Sequence, residues 1–166
     1  MSQRSKKRYL KEYFTYEVSE MLHSVDVYSQ IVAIKGGGYG PAFAVLHKNM
    51  AIEHLLMHAR VLFEFYYVLP NRRYPYPRAI DFVPNFNPQT TRYFNWNFYR
   101  KVNNQALHLG SERTLEQAKK SWHLDKLRWD TLRITKTFLG QLDNYYFDTK
   151  PPKLLDLKTI IDLTIV

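Results

Sequence analysis

The chain contains no cysteine. That excludes disulfides, thiolate zinc sites and a thiol nucleophile. It also lacks any run approaching the roughly 18 apolar residues of a membrane span, so no membrane partner is expected. The basic start MSQRSKKRYLKEYF is not followed by the apolar core of a signal peptide. A cytoplasmic protein is therefore expected. Internal repeats and low-complexity tracts are absent. Acidic residues are in deficit: 15 Asp and Glu stand against 24 Lys and Arg, a formal net charge of +9. Such a balance draws anionic partners: nucleic acid, an anionic surface or an acidic protein.

What is present is a core-forming chain. The hydrophobic fraction of 45% and the aromatic fraction of 16% argue against disorder. At 166 residues, a single domain spanning 1–166 is expected, with 1–7 and 154–166 as flexible or docking tails. Much of the apolar content is Tyr and Phe, which predicts aromatic walls beside polar grooves.

The central stretch is Phe43 to Val68, free of Gly and Pro and rich in Leu, Met, Ala and Glu. It predicts a helix. Ile52, Leu55, Ala59, Phe63 and Tyr66 fall in one apolar sector, and Asn49, Glu53, Arg60 and Glu64 in a charged one. His47, His54 and His58 form a narrow third sector that runs on into Val61 and Phe65. Polar stripes on both sides of a core face suit the central helix of a bundle.

Around it, Leu10, Phe14, Val18, Met21, Val25, Tyr28 and Val32 predict a first helix over about 8–34. GGGYGP, Gly36 to Pro41, reads as a connection; no Gly-Lys-Ser/Thr follows to make it a phosphate loop. Five prolines between Pro70 and Pro88 predict a long irregular loop. Its Arg72, Arg73 and Arg78 interleave with Tyr74, Tyr76, Phe82 and Phe86. That pattern suits either single-stranded nucleic acid or a loop pinned to its own bundle by buried rings and cation–π contacts. A shorter helix is expected over 90–109. A long one is expected from a Thr114–Gln117 capping box to about Phe147, with stripes containing Trp122, Trp129, Leu132 and Leu127, Ile134, Phe138, Tyr145. The tail from Leu154 suits a last helix or a strand. The fold class is all-α: a four- or five-helix bundle with a long Pro- and aromatic-rich loop.

Two constellations could carry chemistry. His54 and His58, four apart, sit on adjacent turns and could share a metal, given a carboxylate or His from elsewhere. His47 is too distant to be assumed a third ligand, and no His-Glu-x-x-His motif is present. The commoner reading of such a pair is structural, so no metal or other cofactor is expected. The second is RKVNNQALHLGSER, Arg100 to Arg113. His108 suits a general acid or base, with Arg100, Arg113 and Asn104 around it and Lys101 and Asn103 nearby. The structural alternative is a helix C-terminus whose carbonyls His108 and Arg113 satisfy.

His58-Ala59-Arg60 in a long helix, Asp81-Phe82-Val83 in a loop, and NQALHLGSER before a Trp-bearing helix together resemble the HEPN kind of helical bundle. The resemblance covers about Ala51 to Trp129 and its motifs are short. It implies RNA as partner, a homodimer or a partner protein, and a metal-independent endoribonuclease of a toxin or antiphage system. By that resemblance His108, Arg100, Arg113 and Asn104 would be catalytic. His58, Arg60, Lys101, Asn103, Arg72 and Arg73 would hold substrate. The nuclease motif itself, Arg then His after four to six residues, is absent: Asn103 lies five before His108, and Lys101 and Arg100 lie farther back. Either a displaced cation substitutes, or the fold serves binding. The alternatives are a non-enzymatic interaction module and a metal-dependent enzyme on His54 and His58.

Overall fold

The structure, a computed structural model, describes residues 1–33, 40–68, 76–105, 122–147 and 153–164. Among these the protein is all α-helical, with no strand. Helix α1 (Gln3–Tyr9) passes through a π-helical turn, Leu10–Phe14, into α2 (Thr15–Ala33). Next come α3 (Pro41–Tyr67), α4 (Trp96–Gln105), α5 (Leu124–Gln141) and α6 (Lys153–Thr164).

The first rod starts earlier than its apolar pattern predicts. Ser2 accepts from the Ser5 amide and caps it, so residues of the expected flexible start are helical. The π turn has a packing reason. Leu10, Phe14 and Val18 are spaced by fours, and each four-residue step overshoots an α-helical turn by about 40°. The wider turn takes up that drift and keeps all three buried. The Leu10 carbonyl accepts from the Thr15 amide and also from Thr15 Oγ1, the latter at 3.0 Å.

α2 and α3 make the most extensive helix pair. α3 buries Leu55, Ala59, Phe63 and Tyr66 as its pattern predicts, and Leu56, Leu62 and Phe65 as well. The centre of the core is aromatic. Phe138 of α5 lies 5.3 Å from Phe14, 5.2 Å from Phe65 and 5.4 Å from Phe86 between ring centroids.

Residues 76–95 carry one short 3-10 turn, Ala79–Asp81, and otherwise run irregularly. Ala79, Phe82, Val83 and Phe86 are buried in the shared core. A Val83–Phe86 turn delivers Phe86: its amide donates to the Val83 carbonyl at 3.0 Å, with Asn85 at φ 64°. Pro then Asn at the two central positions is the signature of that turn.

Three expected boundaries are corrected. α4 starts at Trp96, not near Thr90, because Asn95 Oδ1 accepts from the amides of Asn97 and Phe98. The long helix expected over 114–147 is not continuous. Residues 122–123 are non-helical, α5 starts at Leu124, and it ends at Gln141 where Leu142 turns extended. Trp129 and Tyr145, expected in apolar stripes, are 42% and 46% exposed. Residues 36–39 of the glycine-rich connection and the Thr114 capping box lie outside the described residues. α6 docks through Leu154, Leu157 and Ile161, leaving Leu155 and Leu163 exposed. No helix among the described residues is long and apolar enough to cross a membrane.

Burial sets an alkaline limit on this fold. Burial pushes the Tyr9 phenol up to about 12, with Arg78 opposing the shift and Glu17 adding to it. Burial also pushes Tyr66 and Tyr67 upward. Unfolded phenols ionise near pH 10, so above that pH the unfolded chain holds fewer protons than the native one. Stability is therefore full below about pH 10 and falls as pH climbs toward 12. Melting temperature against pH, with tyrosinate absorbance recorded in parallel, should show unfolding and phenol ionisation advancing together.

Candidate metal centre between α2 and α3

The histidine sector of α3 faces α2. On α2, Glu17, Glu20 and Ser24 are three and four apart, a polar stripe offset by one residue from the apolar stripe Val18, Met21, Val25. The helix therefore buries its apolar stripe and brings its polar stripe alongside His54 and His58.

Each imidazole is fixed by a partner on α2. His58 Nδ1 lies 2.7 Å from Glu17 Oε2. A carboxylate only accepts, so Nδ1 carries the proton. Ser24 Oγ donates its proton to the Glu20 carbonyl at 2.7 Å. Ser24 Oγ must then accept from His54 Nδ1, also 2.7 Å away. Both neutral rings are thus Nδ1–H tautomers, and both Nε2 lone pairs are left over. Those two Nε2 atoms face each other at 3.1 Å. Two lone pairs at that distance repel unless a proton or a cation lies between them.

Glu20 completes the group. Its carboxylate lies 3.8 Å from His54 Nε2, and the ligating atoms of Glu20, His54 and His58 all fall within 4.8 Å of one another. Two nitrogens on a tetrahedral ion at about 2.0–2.1 Å sit roughly 3.3 Å apart, close to the spacing here. Glu17 behind His58 and Ser24 behind His54 supply the outer bonds that orient metal-binding imidazoles. The His54 pKa is held below its ordinary value, by burial first and by neighbouring His58 second. The neutral form that ligates is thereby favoured. His58 is buried, with Tyr16 edge-on to its ring at 5.6 Å. The His54 side chain is 40% exposed, so the group opens to solvent on one side.

No family model matches the chain, and comparisons with curated proteins and with solved structures give no match.

The other sequence-predicted residues sit elsewhere. His47 lines a small hollow of about 230 Å³ with His23, Ser24 and His54, outside the ligating trio. Arg60 pairs with Glu64 at 2.8 Å, and Glu64 also accepts from the Tyr99 hydroxyl at 3.0 Å, tying α3 to α4. Asn103 is half-buried one turn further along α4. Arg100 is exposed and donates to Asn97 Oδ1 at 2.8 Å. The Lys101 ammonium lies 4.2 Å over the Trp122 ring, and Asn104 is exposed. His108, Arg113, Arg72 and Arg73 lie outside the described residues. Sequence reasoning found His54 and His58 but missed Glu17, Glu20 and Ser24. The signal was present in their three- and four-residue spacing beside the α2 apolar stripe.

Proposed function

We propose that this protein is a metal-dependent enzyme whose centre is Glu20, His54 and His58. The observation that carries the reading is the two Nε2 atoms facing each other at 3.1 Å, with a carboxylate beside them. Three protein ligands with a solvent-facing side are the ligand pattern of catalytic sites, whereas structural zinc sites close all four positions. Two imidazoles and one carboxylate suit Zn²⁺ or another borderline divalent ion rather than Ca²⁺ or Mg²⁺. When bound, the ion would supply Lewis acidity at the exposed side. Glu17 and Ser24 would hold the two rings in the ligating tautomer. The test is titration of chelator-treated protein with Zn²⁺ and Co²⁺. Stoichiometric binding of one ion, with the absorption of a tetrahedral Co²⁺ site, is expected; no binding of either ion overturns the reading.

The +9 charge favours a second reading, a HEPN-like bundle that binds RNA, acting as a homodimer or with a partner protein. On that reading RNA affinity falls steeply with salt, because phosphate-bound counterions are released on binding. Binding measured across a salt series, with His108→Ala beside wild type and a gel for cleavage, checks it. Salt-independent or absent binding counts against it.

A further inference from the structure

A second cavity, of about 700 Å³, opens on the other side of Glu17. Its walls include Arg8, Tyr9 and Tyr13 from the first rod, Glu64 from α3, and Tyr76 and Arg78 from the segment after α3. Arg78 is the anomaly. Its residue is 4% exposed, its Nε has no hydrogen-bond partner, and no carboxylate among the described residues pairs with its guanidinium. A buried cation without a counter-ion costs several kcal/mol, so proteins keep one only where something else compensates it.

The two carboxylates that share the cavity wall with it are engaged elsewhere. Glu17 is bonded to His58, and Glu64 is bonded to Arg60 and Tyr99. Arg8 at the rim pairs with Glu12 at 2.8 Å. Arg78 is also held in place from its backbone, whose amide donates to Asp81 Oδ2 at 2.7 Å. Beside it, Tyr13 is 56% and Tyr76 65% exposed, so two aromatic rings at the cavity stand largely uncovered. The volume lies within the roughly 300–1,000 Å³ usual for small-molecule sites.

We propose that this cavity binds a small organic oxyanion carrying a flat ring, with its carboxylate or phosphate on Arg78 and its ring against Tyr13 and Tyr76. A guanidinium matches a planar or tetrahedral oxyanion through paired N–H donors. Exposed tyrosines supply stacking area. The proposal does not depend on a metal between α2 and α3.

The probes are adenosine monophosphate and benzoate, with adenosine and inorganic phosphate as half-ligands, followed by calorimetry and thermal shift on the whole chain. At least one of the two ring-bearing anions should bind more tightly than either half-ligand. Phosphate-selective binding would identify the phosphate source, and benzoate-selective binding the carboxylate source. Arg78→Met should weaken binding roughly 10- to 100-fold, the loss expected for hydrogen bonds to a charged group. The same variant should melt at or above the wild-type temperature, because it removes an unpaired buried charge. Tyr76→Ala, at an exposed position, should keep the fold and lose the advantage of the ring-bearing anions over phosphate. The proposal is overturned if neither anion binds, if Arg78→Met binds as wild type does, or if Arg78→Met melts well below wild type while Tyr76→Ala leaves binding unchanged.

Discussion

His58→Ala should lower Zn²⁺ affinity by about 10²- to 10³-fold. Zinc sites of four ligands bind with ~10–16 kcal/mol, so each ligand carries ~2.5–4 kcal/mol. His54→Ala should act alike, because its Nε2 is the other half of the 3.1 Å pair. Glu17→Gln keeps an acceptor for His58 Nδ1 but removes the charge, and should cost about 10- to 100-fold, the usual loss for an outer-shell partner. That ranking separates a metal centre from a structural histidine pair. In a structural pair, the four variants His54→Ala, His58→Ala, Glu20→Gln and Glu17→Gln would differ in stability and not in any metal readout. Thermal shift gives the cross-check. At an ion concentration 100 times Kd the native state gains about 2.7 kcal/mol. At about 2–4 °C per kcal/mol for a chain of this size, wild type should melt roughly 5–10 °C higher with metal. His58→Ala should show no such rise. Equal affinity in wild type and His58→Ala would remove the centre from consideration.

Phe138→Ala should be the most destabilising single truncation in the core. Phe138 is fully buried on α5 and meets Phe14 of the π turn, Phe65 and Tyr66 of α3, and Phe82 and Phe86 of the segment after it. Removing a buried phenyl ring costs about 3–5 kcal/mol, transfer and cavity together. Domains hold only ~5–15 kcal/mol in total, so about a fifth or more of the stability is at stake. The melting temperature should fall by roughly 6–20 °C. Denaturant unfolding of Phe138→Ala beside Phe138→Leu checks the mechanism: the Leu variant refills most of the space and should recover much of the loss. Equal losses in both would mean that ring–ring geometry, not volume, holds the core.

The two variants probe the packing of α3 against two different neighbours, α2 and α5. Phe65 packs against Phe138, while His58, two turns earlier on α3, faces α2. A core loss at Phe138 and a ligand loss at His58 should therefore leave separate signatures, one in melting without metal and one in the metal-dependent increment.

Local pattern determined the helices and the faces they bury. Leu10, Phe14, Val18, Met21 and Val25 are spaced for one helix face and all five are buried, whereas Tyr28 and Val32 at the end of the same stripe are partly buried and exposed. Leu55, Ala59, Phe63 and Tyr66 are likewise both patterned and buried. These follow because helical periodicity depends only on near neighbours along the chain. The i, i+4 pair His54 and His58 was legible for the same reason. Helix ends were less so. Asn95 displaced the start of α4 through two side-chain hydrogen bonds, and residues 122–123 interrupted what the pattern made one long helix.

The carboxylates could not be assigned to those histidines from the chain alone. Glu17 and Glu20 are more than thirty residues from His54, and their meeting depends on the register in which α2 packs on α3. Register is set by the summed fit of apolar side chains across the whole interface, a property of two helices and not of either one. Arg78 shows the same limit. In sequence it was one of three arginines in an aromatic loop; burial of Ala79, Phe82 and Phe86 draws its guanidinium into the wall of a cavity, where no carboxylate among the described residues pairs with it. Sequence periodicity determined which faces turn inward, and tertiary packing decided which polar groups meet there, because electrostatic partnership depends on distance in space and not on distance along the chain.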